Sequence, residues 1–213
     1  MKVIVYLEGI SDKKVLETLF AELIEEKRIK GIYITFHEAP EGNKKASVLN
    51  KVPVRAADHL VHNPASIVIA IPDLYPKNVG FPHNNLEDIR EGIIKNTRAR
   101  LLAKRTKDPD FILQRLKIFC FKHDMEVLLL AVPEKIKTHL GMSNFKTKWD
   151  ETVEEQNNDR PPKYVIEELF QESGKKYREK LDSLAILDGV HYDTLASRCP
   201  ESFKPFVEFL KSL

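Results

Sequence analysis

The first apolar run of the chain covers residues 3–7 and has no polar break. Such a run suits a strand buried on both faces, because a strand half in water alternates. The turn Glu8-Gly9-Ile10-Ser11-Asp12 follows it. Val15, Leu16, Leu19, Phe20, Leu23 and Ile24 then recur at helical spacing, with Ser11 or Asp12 placed to cap the helix. Residues 31–36, 66–71 and 116–121 read as three further strands. Residues 44–49 read as a loop or helix start and 54–61 as a helix. Residues 86–103 read as a long helix whose basic end suits the helix dipole. The prolines and glycine between Pro72 and Pro82 make that stretch a loop. A helix is expected to begin at His123 and run to residue 131, and Pro133 opens another. A polar, proline-containing loop follows at 156–163, and two or three helices fill the remainder. Strands alternating with helices predict an α/β fold, a mostly parallel sheet with helices on both faces. The boundaries expected are 1–131 for the sheet core and 132–213 for a helical portion packed on the same domain.

Composition narrows the class. The 213 residues are 42% hydrophobic, enough for a real core. No apolar run reaches the length of a membrane span, and no small-residue cleavage site follows the opening strand. Cys120 and Cys199 form no CxxC pair, so both read as reduced thiols, and a cytoplasmic location without membrane attachment is the expectation. Basic residues number 34 against 32 acidic ones, a formal net charge of +2. That balance neither demands nor excludes a nucleic-acid partner.

The chemistry-bearing residues fall at strand ends. Glu8 follows the first strand, Asp73 the third, and Glu126 lies just past the fourth, beside His123 and Asp124. In open parallel sheets ligands bind beyond the carboxyl ends of the strands. Three carboxylates there suit Mg2+ or Mn2+, and such an ion polarises a phosphodiester or activates water. Each acid taken singly is as readily a capping or solvated loop residue. Gly9 allows a tight turn beside Glu8, and Ser11 with the helix start can offer donors to a phosphate; helix capping explains both equally well. His123 is either a site residue or structural. Lys44, Lys45, Lys51 and Arg55, then Arg98, Arg100, Lys104, Arg105 and Lys107, are either phosphate contacts or solvated faces. There is no GxxxxGK[ST], GxGxxG, zinc-spaced or GxSxG motif.

Several of these segments, taken in order, resemble a known family. Leu7-Glu8-Gly9-Ile10-Ser11-Asp12 resembles the first Toprim motif, and Ile69-Ala70-Ile71-Pro72-Asp73-Leu74-Tyr75 the second. More narrowly, the chain is similar to a prokaryotic Toprim-like family known only as a domain of unknown function. That family has an Asp-x-Tyr loop with Phe-Pro after it, here Asp73, Tyr75 and Phe81-Pro82. Its His-Glu-x-Glu segment corresponds to His123-Asp124-Met125-Glu126. Pro161-Pro162-Lys163-Tyr164 matches a further segment loosely, and Arg198-Cys199-Pro200 with Phe203 matches the last. Tyr75 stands where Toprim proteins usually carry a second Asp, and Asp124 where the family commonly has Glu. The resemblance implies a Mg2+- or Mn2+-dependent nuclease. Glu8, Asp73 and Glu126 would be catalytic and hold metal with Asp124, and Ser11, Tyr75, His123, Arg98 and Arg100 would meet substrate. It also implies nucleic acid as substrate and an ATPase partner in phage defence. The alternatives are a non-catalytic Toprim-fold subunit binding nucleic acid or protein, and a toxin-like RNase.

Overall fold

The computed structural model describes residues 1–40, 44–75, 81–156 and 158–213, the side chains of residues 44 and 45 excepted. The basic side chains of Lys44 and Lys45 and the 76–80 part of the proline loop therefore lie outside the described residues. The chain divides into two compact units. The first comprises Met1–Lys13 with Glu22–Cys120, and the second Lys14–Ala21 with Phe121–Leu213.

The first unit is built on four strands: β1 (Lys2–Leu7), β2 (Tyr33–Glu38), β3 (Ser66–Ile71) and β4 (Leu116–Ile118). All pair in parallel, in the order β2-β1-β3-β4. The fold is thus α/β with a parallel sheet, as the alternation of elements predicts. In chain order the helices of this part are α1 (Ile10–Leu19), which runs from the first unit into the second, α2 (Ala21–Ile29), α3 (Lys44–Asn50), α4 (Val52–His62), α5 (Leu86–Ala103) and α6 (Pro109–Leu113). Ile4, Tyr6, Val68, Ala70, Leu116 and Ile118 share one core with Leu49, Ala56, Leu60, Ile89, Ile93 and Leu101 from α3, α4 and α5. The residues of opposite parity, Val3, Val5, Leu7, Ile69 and Ile71, are no more than 2% exposed. Neither face of the central strands meets water, which is why they are apolar at almost every position. The edge strand β2 alternates instead, with Ile34 and Phe36 buried between exposed neighbours.

A parallel sheet requires each connecting helix to return the chain to the amino edge. Arg115, just before β4, ties that edge together. Its guanidinium donates to the carbonyls of Leu60, Asn63 and Ser66, at the end of α4 and the start of β3. Lys104, at the end of α5, pairs with Asp58 of α4 at 2.6 Å.

The second unit contains α7 (Val127–Leu130), α8 (Pro133–Leu140), α9 (Pro162–Glu172), α10 (Glu179–Leu187), α11 (Tyr192–Arg198) and α12 (Phe203–Ser212), with a 3-10 turn at Val153–Glu155. Its aromatic centre is Phe20, whose ring meets those of Tyr192, Phe203 and Phe206. The buried carboxylate of Glu154 accepts from the Glu201 and Ser202 N–H groups at 2.8 Å each, and so caps α12 from a distance in sequence. The thiols of Cys120 and Cys199 are both buried and joined in no disulfide. Among the described residues no helix is long and apolar enough to cross a membrane.

Four expectations need correction. The first helical stripe is two helices, parted at the buried Phe20. The fourth strand is three residues long, with Phe121 only an isolated bridge. Residues 123–126 are a bend and a turn, and the helix begins only at Val127. After the 156–163 region come four helices, not two or three.

Candidate functional site

Strand order reverses between β1 and β3, because the chain leaves β1 for β2 on one side and returns to β3 on the other. The crevice beyond the carboxyl ends at such a reversal is where open α/β sheets bind ligands. The register pairs Leu7 with Ile71, so the residues just past both strands emerge together. These are Glu8 and Asp73. The Asp73 backbone N–H donates to Glu8 Oε1 at 3.1 Å. Both side chains are half-buried. The two acids that end β1 and β3 thus meet at the switch point.

The start of α1 fixes the Glu8 side. The Gly9 carbonyl accepts from Lys13 N–H at 3.2 Å, which makes Gly9 the cap position. Asp12, the third helical residue, reaches back to accept from Gly9 N–H at 3.0 Å. This is the returning half of a capping box. Gly9 therefore occupies the cap expected of Ser11 or Asp12, and Ser11 is a buried residue of the first turn.

The Asp73 side is held by His83, which sequence reasoning passed over. Its buried ring places Nε2 at 2.9 Å from the Leu74 carbonyl and Nδ1 at 2.8 Å from that of Phe81. A neutral imidazole carries one N–H and serves one of these carbonyls; the imidazolium serves both. Tyr75 follows Leu74 and is half-buried. Phe81 seats its ring on Gly92 of α5, where a Cβ would come within 2.1 Å of it. A Phe-Pro followed at once by His, with a Gly inside the next helix, was the available signal.

Arg98 and Arg100 are placed elsewhere. They belong to the last turns of α5, which the Lys104–Asp58 pair locates at the amino edge of the sheet. That is the opposite end from Glu8 and Asp73. Arg98 is moreover paired with Asp110 of α6. The parallel crossover carries both away from the Glu8–Asp73 junction.

In the second unit, Asp124 and Glu126 form an acid pair of their own. Glu126 is 3% exposed. Tyr177 OH donates to Glu126 Oε1 at 3.2 Å and lies 2.7 Å from Ser183 Oγ. Asp124 Oδ2 accepts from the Lys163 N–H at 3.3 Å, and Lys163 Nζ pairs with Glu179. Burial pushes the Asp124 carboxyl up to about 6. Burial first, and then the Asp124 charge, push Glu126 up to about 8. Two adjacent dry carboxyls hold a proton between them at neutral pH. Burial also lowers the His123 pKa, against a hydrogen bond with the Gln156 backbone. His123 is 1% exposed and neutral at pH 7. The helix expected from His123 would set it on one face with Glu126, but neither lies within a helix. Among the described residues, no group of three or more His, Cys, Asp or Glu side chains is assembled as a metal site.

A family model described as Domain of unknown function (DUF4276) matches residues 7–211. The chain belongs to this family. The match begins at the end of β1 and runs into α12, so it takes in most of both units. No curated protein matches the chain. Among solved structures, the chain is similar to the C-terminal region of the Burkholderia pseudomallei OLD protein. The two share 18% identity at a TM-score of 0.47, over 99% of this chain and 96% of that one.

Proposed function

We propose that this DUF4276 chain is a Toprim-type, divalent-metal-dependent phosphodiester hydrolase acting on nucleic acid. The observation that carries the reading is the junction of Glu8 and Asp73 at the reversal of strand order. The donor set fits a hard cation, since Mg2+ is commonly held by one or two carboxylates with the rest of its shell water and substrate phosphate. Glu8 and Asp73 would hold it, and when bound it would polarise the phosphodiester and favour hydroxide at neutral pH. The Asp73 N–H fixes one oxygen of Glu8 and so orients the carboxylate. Asp73 in turn keeps its place because His83 and Phe81 pin the residues that follow it. Glu126 and Asp124 belong to the proposal as a pair that takes up a proton or a cation. Tyr75, half-buried, belongs to it as a polar group able to meet substrate, and the buried Ser11 and His123 belong to it as the polar groups beside these acids. An ATPase partner in phage defence and a cytoplasmic setting rest on the Toprim resemblance.

Tyr75 favours a second reading, a Toprim-fold subunit that binds nucleic acid without cutting it. A phenol is neutral at pH 7 and a poor substitute for a carboxylate ligand. Cleavage separates the two. Single- and double-stranded DNA and RNA are incubated with the protein in Mg2+, Mn2+ or chelator. The hydrolase reading expects cleavage with metal, none with chelator, and a loss of at least about a hundredfold in Asp73→Asn. Binding of the polymers with no cleavage in either metal would establish the second reading instead.

A further inference from the structure

The second unit carries a cavity of about 410 Å3 that the acid pair does not use. This is within the range of roughly 300–1,000 Å3 typical of small-molecule sites. Its floor is apolar, from Leu130, Ala131, Pro133 and Val153. Its wall is the irregular segment after α8, which presents Phe145 and Trp149 with ring centroids 5.7 Å apart, inclined at 54°. Both rings are half-buried.

The segment is fixed although it is neither helix nor strand. Glu172 accepts from the Lys146 and Thr147 N–H groups at 2.7 and 2.9 Å. Arg160 donates to the Lys148 carbonyl, and Gln156 accepts from Asp150 N–H. The aromatic pair is therefore held in place before anything binds, which lowers the ordering cost of binding.

The charges at the rim select the ligand. Lys137 and Glu134 also line the cavity but neutralise each other at 2.7 Å. Lys148 and Arg198 are exposed and make no ion pair among the described residues, and Glu151 opposes them. The rim is thus left with a net positive charge beside a flat apolar surface. A phosphate alone has no use for the rings. An apolar peptide side chain has no use for the cations. A nucleobase with its phosphate uses both, and Glu151 adds an acceptor for a base N–H.

We infer that the Phe145–Trp149 cavity binds a nucleobase of single-stranded nucleic acid, with Lys148 and Arg198 on the adjoining phosphate. The inference rests on the proposed function only for the class of polymer and needs neither metal nor cleavage. Trp149 is the sole tryptophan, so tryptophan emission, excited selectively over the six tyrosines, reports on this site. The full chain is titrated, in chelator, with short single-stranded DNA and RNA oligonucleotides and with an abasic oligonucleotide of equal length. Quenching by either base-bearing strand and not by the abasic one is expected. In anisotropy with labelled strands, Trp149→Leu should weaken binding about tenfold, within the range for losing one stacked base, while Trp149→Phe keeps most of it. Arg198→Ala should reduce the slope of log affinity against log salt by about one. Circular dichroism of each variant establishes that it is folded. Equal quenching by the abasic strand, no quenching at all, or unchanged binding by folded Trp149→Leu would overturn the inference. Because chelator is present, binding here is read independently of cleavage; a protein that binds here yet cleaves in neither Mg2+ nor Mn2+ would refute the hydrolase reading and leave this one standing.

Discussion

Two carboxyls in a dry site are stable together only when a proton or a cation separates them. For Asp124 and Glu126 the sign of the linkage is clear. Unfolded carboxyls lose their protons near pH ~4. In the folded protein burial raises both, Glu126 up to about 8. The native state therefore binds more protons than the unfolded one across this window, and stability falls as pH rises through it. Glu126→Gln keeps an acceptor for Tyr177 and removes one charge. It should match wild type below about pH 4, draw ahead as the pH rises, and exceed it above about pH 8 by roughly 1–2 kcal/mol, flattening the pH dependence of urea unfolding. A variant curve parallel to wild type would show that the pair does not share a proton. Tyr75→Phe, by contrast, removes only a phenol hydroxyl and should leave Mn2+ affinity unchanged in calorimetry. A large loss of affinity would make that hydroxyl part of the metal shell.

At the level of elements, the loop between β3 and α5 is the part most exposed to a single change. Gly92→Ala drives a methyl into the Phe81 ring, with the nearest ring atom at 2.1 Å. Overpacking of this kind costs about 1–3 kcal/mol. The variant should lower the midpoint of thermal unfolding, and Phe81→Leu in the same chain should restore part of it. β3 and α5 were legible at 66–71 and 86–103 because their ends are signalled locally. Pro72 stops the strand, and Asn85 caps the helix by accepting from the Asp88 N–H at 2.9 Å. Glu8 and Asp73 were legible for a related reason: a residue that ends a buried parallel strand must emerge at the carboxyl edge. The segment 123–126 was not. The apolar run 127–130 invites a helix extended backwards, but Asp124 is engaged by the Lys163 N–H, a bond between residues 39 apart. No window of sequence contains that partner. Tyr177 was missed on the same grounds, since its partner Glu126 lies 51 residues away, whereas His83 bonds to the nearby Leu74 and Phe81 carbonyls and carried a local signal. Where Arg98 and Arg100 lie relative to that edge was not legible, because charge pattern alone does not say which end of a crossover helix faces the site.

Across the whole molecule, a net charge of +2 gives little general attraction to polyanions, so affinity for nucleic acid must come from local sites. The family match covers nearly the whole chain, from residue 7 to residue 211, and the Glu8–Asp73 junction lies at its start. The central claim is that this junction holds a divalent cation. Titration calorimetry of Mn2+ into the wild type, beside a Glu8→Gln, Asp73→Asn double variant of equal helicity, tests it most directly. Wild type should bind saturably, with a matching rise in its melting temperature, and the double variant should lose both. No binding by wild type, or equal binding by the double variant, would contradict it.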